Sequence, residues 1–153
     1  MARTGGGHVA EMSTPDSEER IGRVYARALE ARAAGRELTP ADQVVYEVEM
    51  LSQEVNSGAS FEQYFRWASV DEISRIAARL DALALSEVAE LTRAAIAVAF
   101  PGGIPGSDAE KDGLTDWSAD QADRLAALAG EFEQWNGRIL NALAEFHRAN
   151  GTD

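Results

Sequence analysis

The chain has no cysteine, so it can build no disulfide framework, no thiolate nucleophile and no cysteine metal site, which suits a reducing compartment. Histidine is nearly as scarce. His8 and His147 are the only two, and they stand at opposite ends of the 153 residues, which argues against a site of paired histidine ligands. Long apolar runs are missing too. The longest, Ala94 to Phe100, is far shorter than the roughly 20 residues a membrane-spanning helix needs, and the N-terminus lacks the apolar stretch of a signal peptide. There is no glycine-rich phosphate loop leading into a helix and no Gly-x-Ser-x-Gly elbow. No segment sustains the period-two alternation of a strand. What the chain does have is acid: 26 Asp and Glu against 14 Lys and Arg, a net charge of −12. Such a field repels nucleic acid and anionic membrane surfaces and attracts basic partners. With 45% hydrophobic residues, the length suits one domain with a substantial core.

The densest signals run from Thr39 to Trp67. Thr39-Pro40 predicts a helix start, the threonine capping free N–H groups and the proline losing no hydrogen bond there. Val44, Val48, Leu51 and Val55 recur at helical steps, with Val45 widening the stripe, while Glu47, Glu49 and Glu54 fall largely off it. Asn56, Ser57 and Gly58 are expected to end this helix. Ser60 with Gln63 reads as a capping box opening a second helix, whose apolar face is Phe61, Tyr64, Phe65 and Ala68.

Glu54-Val55-Asn56-Ser57-Gly58, followed by Phe61-Glu62-Gln63-Tyr64-Phe65, resembles the signature of the bacterial DNA-mimic-protein-like family (DNA mimic protein 19-like). That family typically runs Glu-Val-Asn-Asn-Gly-Gly straight into Phe-Glu-Gln-Tyr-Phe. Here Ser57 replaces the second Asn, Ala59-Ser60 replaces the second Gly and adds a residue, and Arg66-Trp67 stands where Asn is common. From Leu38 to Arg148 the resemblance continues as a pattern of helices and an acidic balance. It implies a protein that imitates the charge of double-stranded DNA and occupies the DNA-binding face of a regulator, and it is compatible with a homodimer.

Elsewhere the chain reads as more helices. Residues 1–13, with Gly5-Gly6-Gly7, have no periodicity and are expected to be a mobile tail in which His8 marks nothing. Thr14-Pro15 repeats the helix start. Ile21, Val24, Tyr25, Ala28 and Leu29 form its stripe and Gly35 its end. Arg20, Arg23, Arg27 and Arg32, mixed with Glu18, Glu19 and Glu30, read as a solvated face rather than a nucleic-acid contact. Ser69 with Glu72 is a capping box ahead of Ile73, Ile76, Ala77, Leu80 and Leu83. Ser86 is expected to cap the following helix, which ends at Phe100-Pro101 in a proline- and glycine-rich loop reaching Gly106. Ser118 and Gln121 start the last helical region, divided near Gly130 and Asn136-Gly137. The expectation is an all-α, single compact domain of about seven helices over residues 14–150.

Charge is unevenly distributed. Residues 1–36 hold six basic and five acidic side chains (+1), and residues 37–153 hold eight and 21 (−13), which together give −12. The densest acid is Asp108, Glu110, Asp112, Asp116, Asp120 and Asp123, relieved only by Lys111 and Arg124, and these six are the candidate partner-binding residues. The plain alternative is a solubilising surface. Asp108 to Asp116 also imitates half of an EF-hand loop, but its twelfth position is Ala119, so no metal is assigned. His147 is expected to cap or solvate the last helical turn, Glu47 and Glu54 to be surface charge, and Tyr64 and Trp67 to be core rather than pocket lining. No catalytic residue and no cofactor is assigned. The reading is a cytoplasmic, non-enzymatic acidic interaction module for a basic or DNA-binding protein. The alternatives are an immunity or inhibitor protein against a basic toxin or nuclease, and a ligand-binding or hydrolytic domain using the corner from Asn56 to Tyr64.

Overall fold

Hydroxyl side chains start five of the eight helices found among residues 11–151, the part the computed structural model describes. Thr14 accepts from the Ser17 N–H at 3.0 Å and opens α1 (Pro15–Ala33); Thr39 accepts from the Asp42 N–H at 3.1 Å and opens α2 (Pro40–Gly58). Then come α3 (Glu62–Trp67), α4 (Val70–Ala82) behind the complete Ser69–Glu72 capping box, and α5 (Ser86–Ala99). Next, α6 (Asp108–Asp112) begins at Ser107, α7 (Ala119–Glu133) follows a second complete box at Ser118 and Gln121, and α8 is Asn136–Asn150. Among the described residues the chain is all helix in one compact domain. The element beyond the expected seven is α6, one turn inside the acidic stretch.

The ends differ from the sequence expectation in three places. First, α2 continues through Asn56, Ser57 and Gly58, and the left-handed residue that turns the chain is Ala59, φ 52°. Second, Ser60 makes no capping box. Phe61 already has helical dihedrals (φ −76°, ψ −10°), so the Ser60 hydroxyl accepts from the Glu62 N–H at 3.1 Å and donates to the Glu62 carboxylate at 3.4 Å, and Gln63 instead turns back to Glu54 and Ser57. Third, Ser86 is not a cap, because α4 ends in a turn that carries straight into α5. Ala84 is left-handed (φ 59°) and the Leu85 N–H donates to the Leu80 carbonyl at 2.9 Å, which makes buried Leu85 the residue before the next helix. Gly35 does close α1 as expected, with φ 73° and the Arg36 N–H on the Ala31 carbonyl at 2.8 Å.

Helix α2 lies at the centre, packed against α1, α3, α4, α7 and α8. The short α3 ties it to the far side. Phe61 meets Phe132 of α7 edge-on at 5.6 Å, and Phe65 meets Phe100 at 5.3 Å and Trp117 at 6.4 Å. Phe61, Tyr64 and Phe65 are all fully buried. Two expected core residues are not: Trp67 is 70% exposed and Leu29 46%. Of the stretch expected to be a tail, residues 1–10, His8 included, lie outside the described residues. Glu11 and Met12 are held to α8 by the Asn141 side-chain amide, which donates to the Glu11 carboxylate at 2.7 Å and to the Met12 carbonyl at 3.0 Å. No described helix is long and apolar enough to cross a membrane.

Candidate partner-binding face

The acidic surface is best understood from where the cations go. Glu47, expected at the surface, is 1% exposed. Arg75 reaches it through Nε at 3.0 Å and Nη2 at 2.6 Å, Arg79 through Nε at 2.8 Å, and Gln43 donates from the preceding turn of α2. Burial alone would raise this carboxyl, but the hydrogen bonds from Arg75, Arg79 and Gln43 outweigh it and hold Glu47 below the usual carboxylate range. The clue in the sequence is Arg75 and Arg79, four apart on one face of α4; which acid they meet is set by the fold.

A second cluster joins α1, α2 and α8. Arg27 Nη2 donates to both oxygens of Asp42, at 3.1 and 3.2 Å. His147, expected to cap or solvate its helix, is instead 1% exposed, with Nε2 3.5 Å from Asp42 Oδ1 and Nδ1 3.4 Å from Arg20 Nη1. Arg27 Nη2 also lies 3.5 Å from His147 Nε2, so the imidazole sits among Arg20, Arg27 and Asp42. Gly151 lies against the imidazole; a Cβ there would stand 2.4 Å from Cδ2. Of the α1 arginines expected on a solvated face, Arg23, Arg27 and Arg32 are exposed, while Arg27 also reaches buried Asp42 and half-buried Arg20 reaches His147.

Lys111 gives the third correction. It relieves no acidic surface, because it is buried and its Nζ donates to the carbonyls of Phe65 at 2.8 Å, Arg66 at 2.9 Å and Ala68. These are the unpaired carbonyls at the end of α3, where a cation is favoured. Other cations are also paired: Arg93 with Asp81 and Glu90, Arg66 with Glu62, Arg138 with Glu11 and Arg148 with Asp16.

All six candidate acids are exposed. Asp108 also accepts the Val70 N–H at 2.7 Å, which fastens α6 to the start of α4, and Glu110 accepts the Gly106 N–H at 3.2 Å. Asp112 closes α6, Asp116 lies in the following loop, and Asp120 and Asp123 stand one turn apart at the start of α7. Farther along α7, Glu131 and Glu133 are exposed too. The resemblance to half a calcium loop ends at the backbone, since Asp108–Asp112 is helix, and among the described residues no group of three or more acidic or histidine side chains could hold a metal ion.

The motif residues shape the fold. Gln63 donates to Glu54 at 2.9 Å and to Ser57 at 3.0 Å, closing the corner, and a Cβ on Gly58 would press the Gln63 side chain at 3.3 Å. Asn56 donates to Ser52 at 3.3 Å and to Asn136 of α8 at 2.9 Å. Glu62 pairs with Arg66 at 3.4 Å, and Phe61, Tyr64 and Phe65 fill the core. Tyr64 therefore lines no pocket among the described residues, whereas Asn56 and Ser57 line an open groove of about 530 Å³ with Ser52, Asn136 and Leu140. A sequence profile of the family described as DMP19-like protein matches residues 36–150. No curated protein and no solved structure gives a match.

Proposed function

We propose, from the premise that the chain belongs to the DMP19-like protein family, that it is a non-enzymatic, cytoplasmic acidic protein that occupies the DNA-binding face of a basic DNA-binding protein such as a transcriptional regulator. The observation that carries this reading is the sorting of charge. Lys111, one of the two cations within or beside the run of six acids in sequence, is buried as a helix cap, which leaves exposed Asp108, Glu110, Asp112, Asp116, Asp120 and Asp123 facing solvent with Arg124 among them. Along α7, Asp120 and Asp123 are separated by about 4.5 Å of helical rise. Phosphates on one DNA strand follow at about 3.4 Å, so the linear charge density is of the same order. Pairing of two copies would lengthen the charged surface toward the span of an operator site.

The reading is tested by capturing partners from source lysate on the immobilised protein and washing at graded salt. Attraction between extended charged surfaces weakens as the Debye length shrinks below about 8 Å, so a DNA-binding protein should be retained at low salt and lost as salt rises. The variant D112K/D116K/D120K should lose it while keeping its helical spectrum. Retention by the variant at wild-type level would contradict the proposal.

A further inference from the structure

A groove of about 370 Å³ runs between α5 and the C-terminal end of α7. Its floor includes Leu91, Ala94 and Trp135, and Glu87, Glu90 and Glu131 line it as well. Leu91 and Trp135 are packed against the core and half-buried, so they hold the floor in place. The three carboxylates are exposed; of them only Glu90 has a cation beside it among the described residues, Arg93 at 3.0 Å. An acidic surface that only solubilises needs no apolar floor. Here apolar area and negative charge are combined in one concavity, and the side chain that matches both is a long cation. Its methylene stem covers Leu91 and Ala94, and its guanidinium meets the carboxylates of the rim.

We propose that this groove docks an amphipathic, arginine-bearing helical segment of the basic partner. The inference rests on the reading above, since it names the part of that partner which the acidic face does not itself specify. Helix α7 connects the two places: Asp120 to Glu131 spans about 16 Å of helix, so one partner surface can touch both. A second copy of the chain fits the groove poorly, because its own arginines are largely paired and its net charge of −12 repels the rim.

The test uses the full chain and a synthetic peptide of about four helical turns, with leucine on one face and arginine along its flanks. Two control peptides replace every arginine by citrulline or every leucine by serine. Amide and indole NMR shifts should concentrate at Leu91, Ala94 and Trp135, and both controls should bind at least about tenfold more weakly. E87Q/E131Q, substitutions at exposed positions, should weaken the parent peptide by a similar factor, whereas D120N/D123N should change it far less. Shifts spread evenly over every acidic helix, or a serine peptide that binds as well as the parent, would overturn the proposal. The two readings fail separately. If D112K/D116K/D120K abolishes partner capture while E87Q/E131Q does not, the groove fails and the DNA-face reading stands. If the peptide docks but the partner holds DNA and this protein together, the DNA-face reading fails and the groove stands.

Discussion

Glu47 shows how one buried charge governs an acidic protein's stability. Breaking a buried ion pair typically costs about 3–5 kcal/mol, and Arg75 is 43% exposed, so water screens part of the interaction and the lower end applies. Glu47→Gln should therefore destabilise the fold by about 3 kcal/mol, read by urea unfolding at neutral pH. Because the folded pKa of Glu47 is depressed, its contribution is fully present above the unfolded pKa and is lost as pH falls through the folded one. The wild type should lose stability in that acid window, and the variant should lose less of it; parallel acid limbs would show that the clamp is not what titrates. Ala59 makes the opposite case. An L-residue in the left-handed region costs about 1–2 kcal/mol, which glycine relieves at some cost in chain entropy. Ala59→Gly should raise stability by about 1 kcal/mol, or about 2–4 °C in melting temperature. A lowered melting temperature would mean the corner is not strained.

At the scale of the element, α3 is held from both sides. Its aromatics enter the core, and Lys111 of α6 closes its last carbonyls. Phe61→Ala removes a fully buried ring and should cost about 3–5 kcal/mol; an unchanged thermal melt would contradict its place in the core. Lys111→Met keeps the apolar stem but leaves buried carbonyls without a donor, at a cost of about 1–3 kcal/mol. Amide exchange should then accelerate first in α3 and α6, and uniform acceleration would contradict this local role. Helix starts at Thr14, Thr39, Ser69 and Ser118 were legible because the cap and its target lie within three residues. Ser60 and Ser86 misled because a cap also needs extended backbone at the residue before the helix, and Phe61 and Leu85 supply other geometries imposed by the preceding turns. The helical stripes of α2 and α4 were legible for the same local reason. The roles of Glu47, Lys111 and His147 were not, since each is decided by a side chain or carbonyl on another helix. The six acids were legible as exposed charge, whereas the α5–α7 groove required two helices distant in sequence to be placed side by side.

For the whole molecule, the net charge of −12 understates the contrast between inside and outside. The cations are drawn inward or into ion pairs: Arg75 and Arg79 to Glu47, Arg27 to Asp42, Lys111 to the end of α3. The six acids of α6 and early α7 remain outside. The same commitments that stabilise the helical domain therefore also shape its field. On the proposed function, this face and duplex DNA compete for one surface on a basic protein. The most direct measurement is fluorescence anisotropy of a labelled operator duplex bound to the captured partner, titrated with this protein at fixed salt. Anisotropy should fall to the free-duplex value with increasing protein, and D112K/D116K/D120K should shift the titration to higher concentration by at least about tenfold. A stable ternary complex, in which the duplex stays bound while this protein saturates the partner, would contradict it.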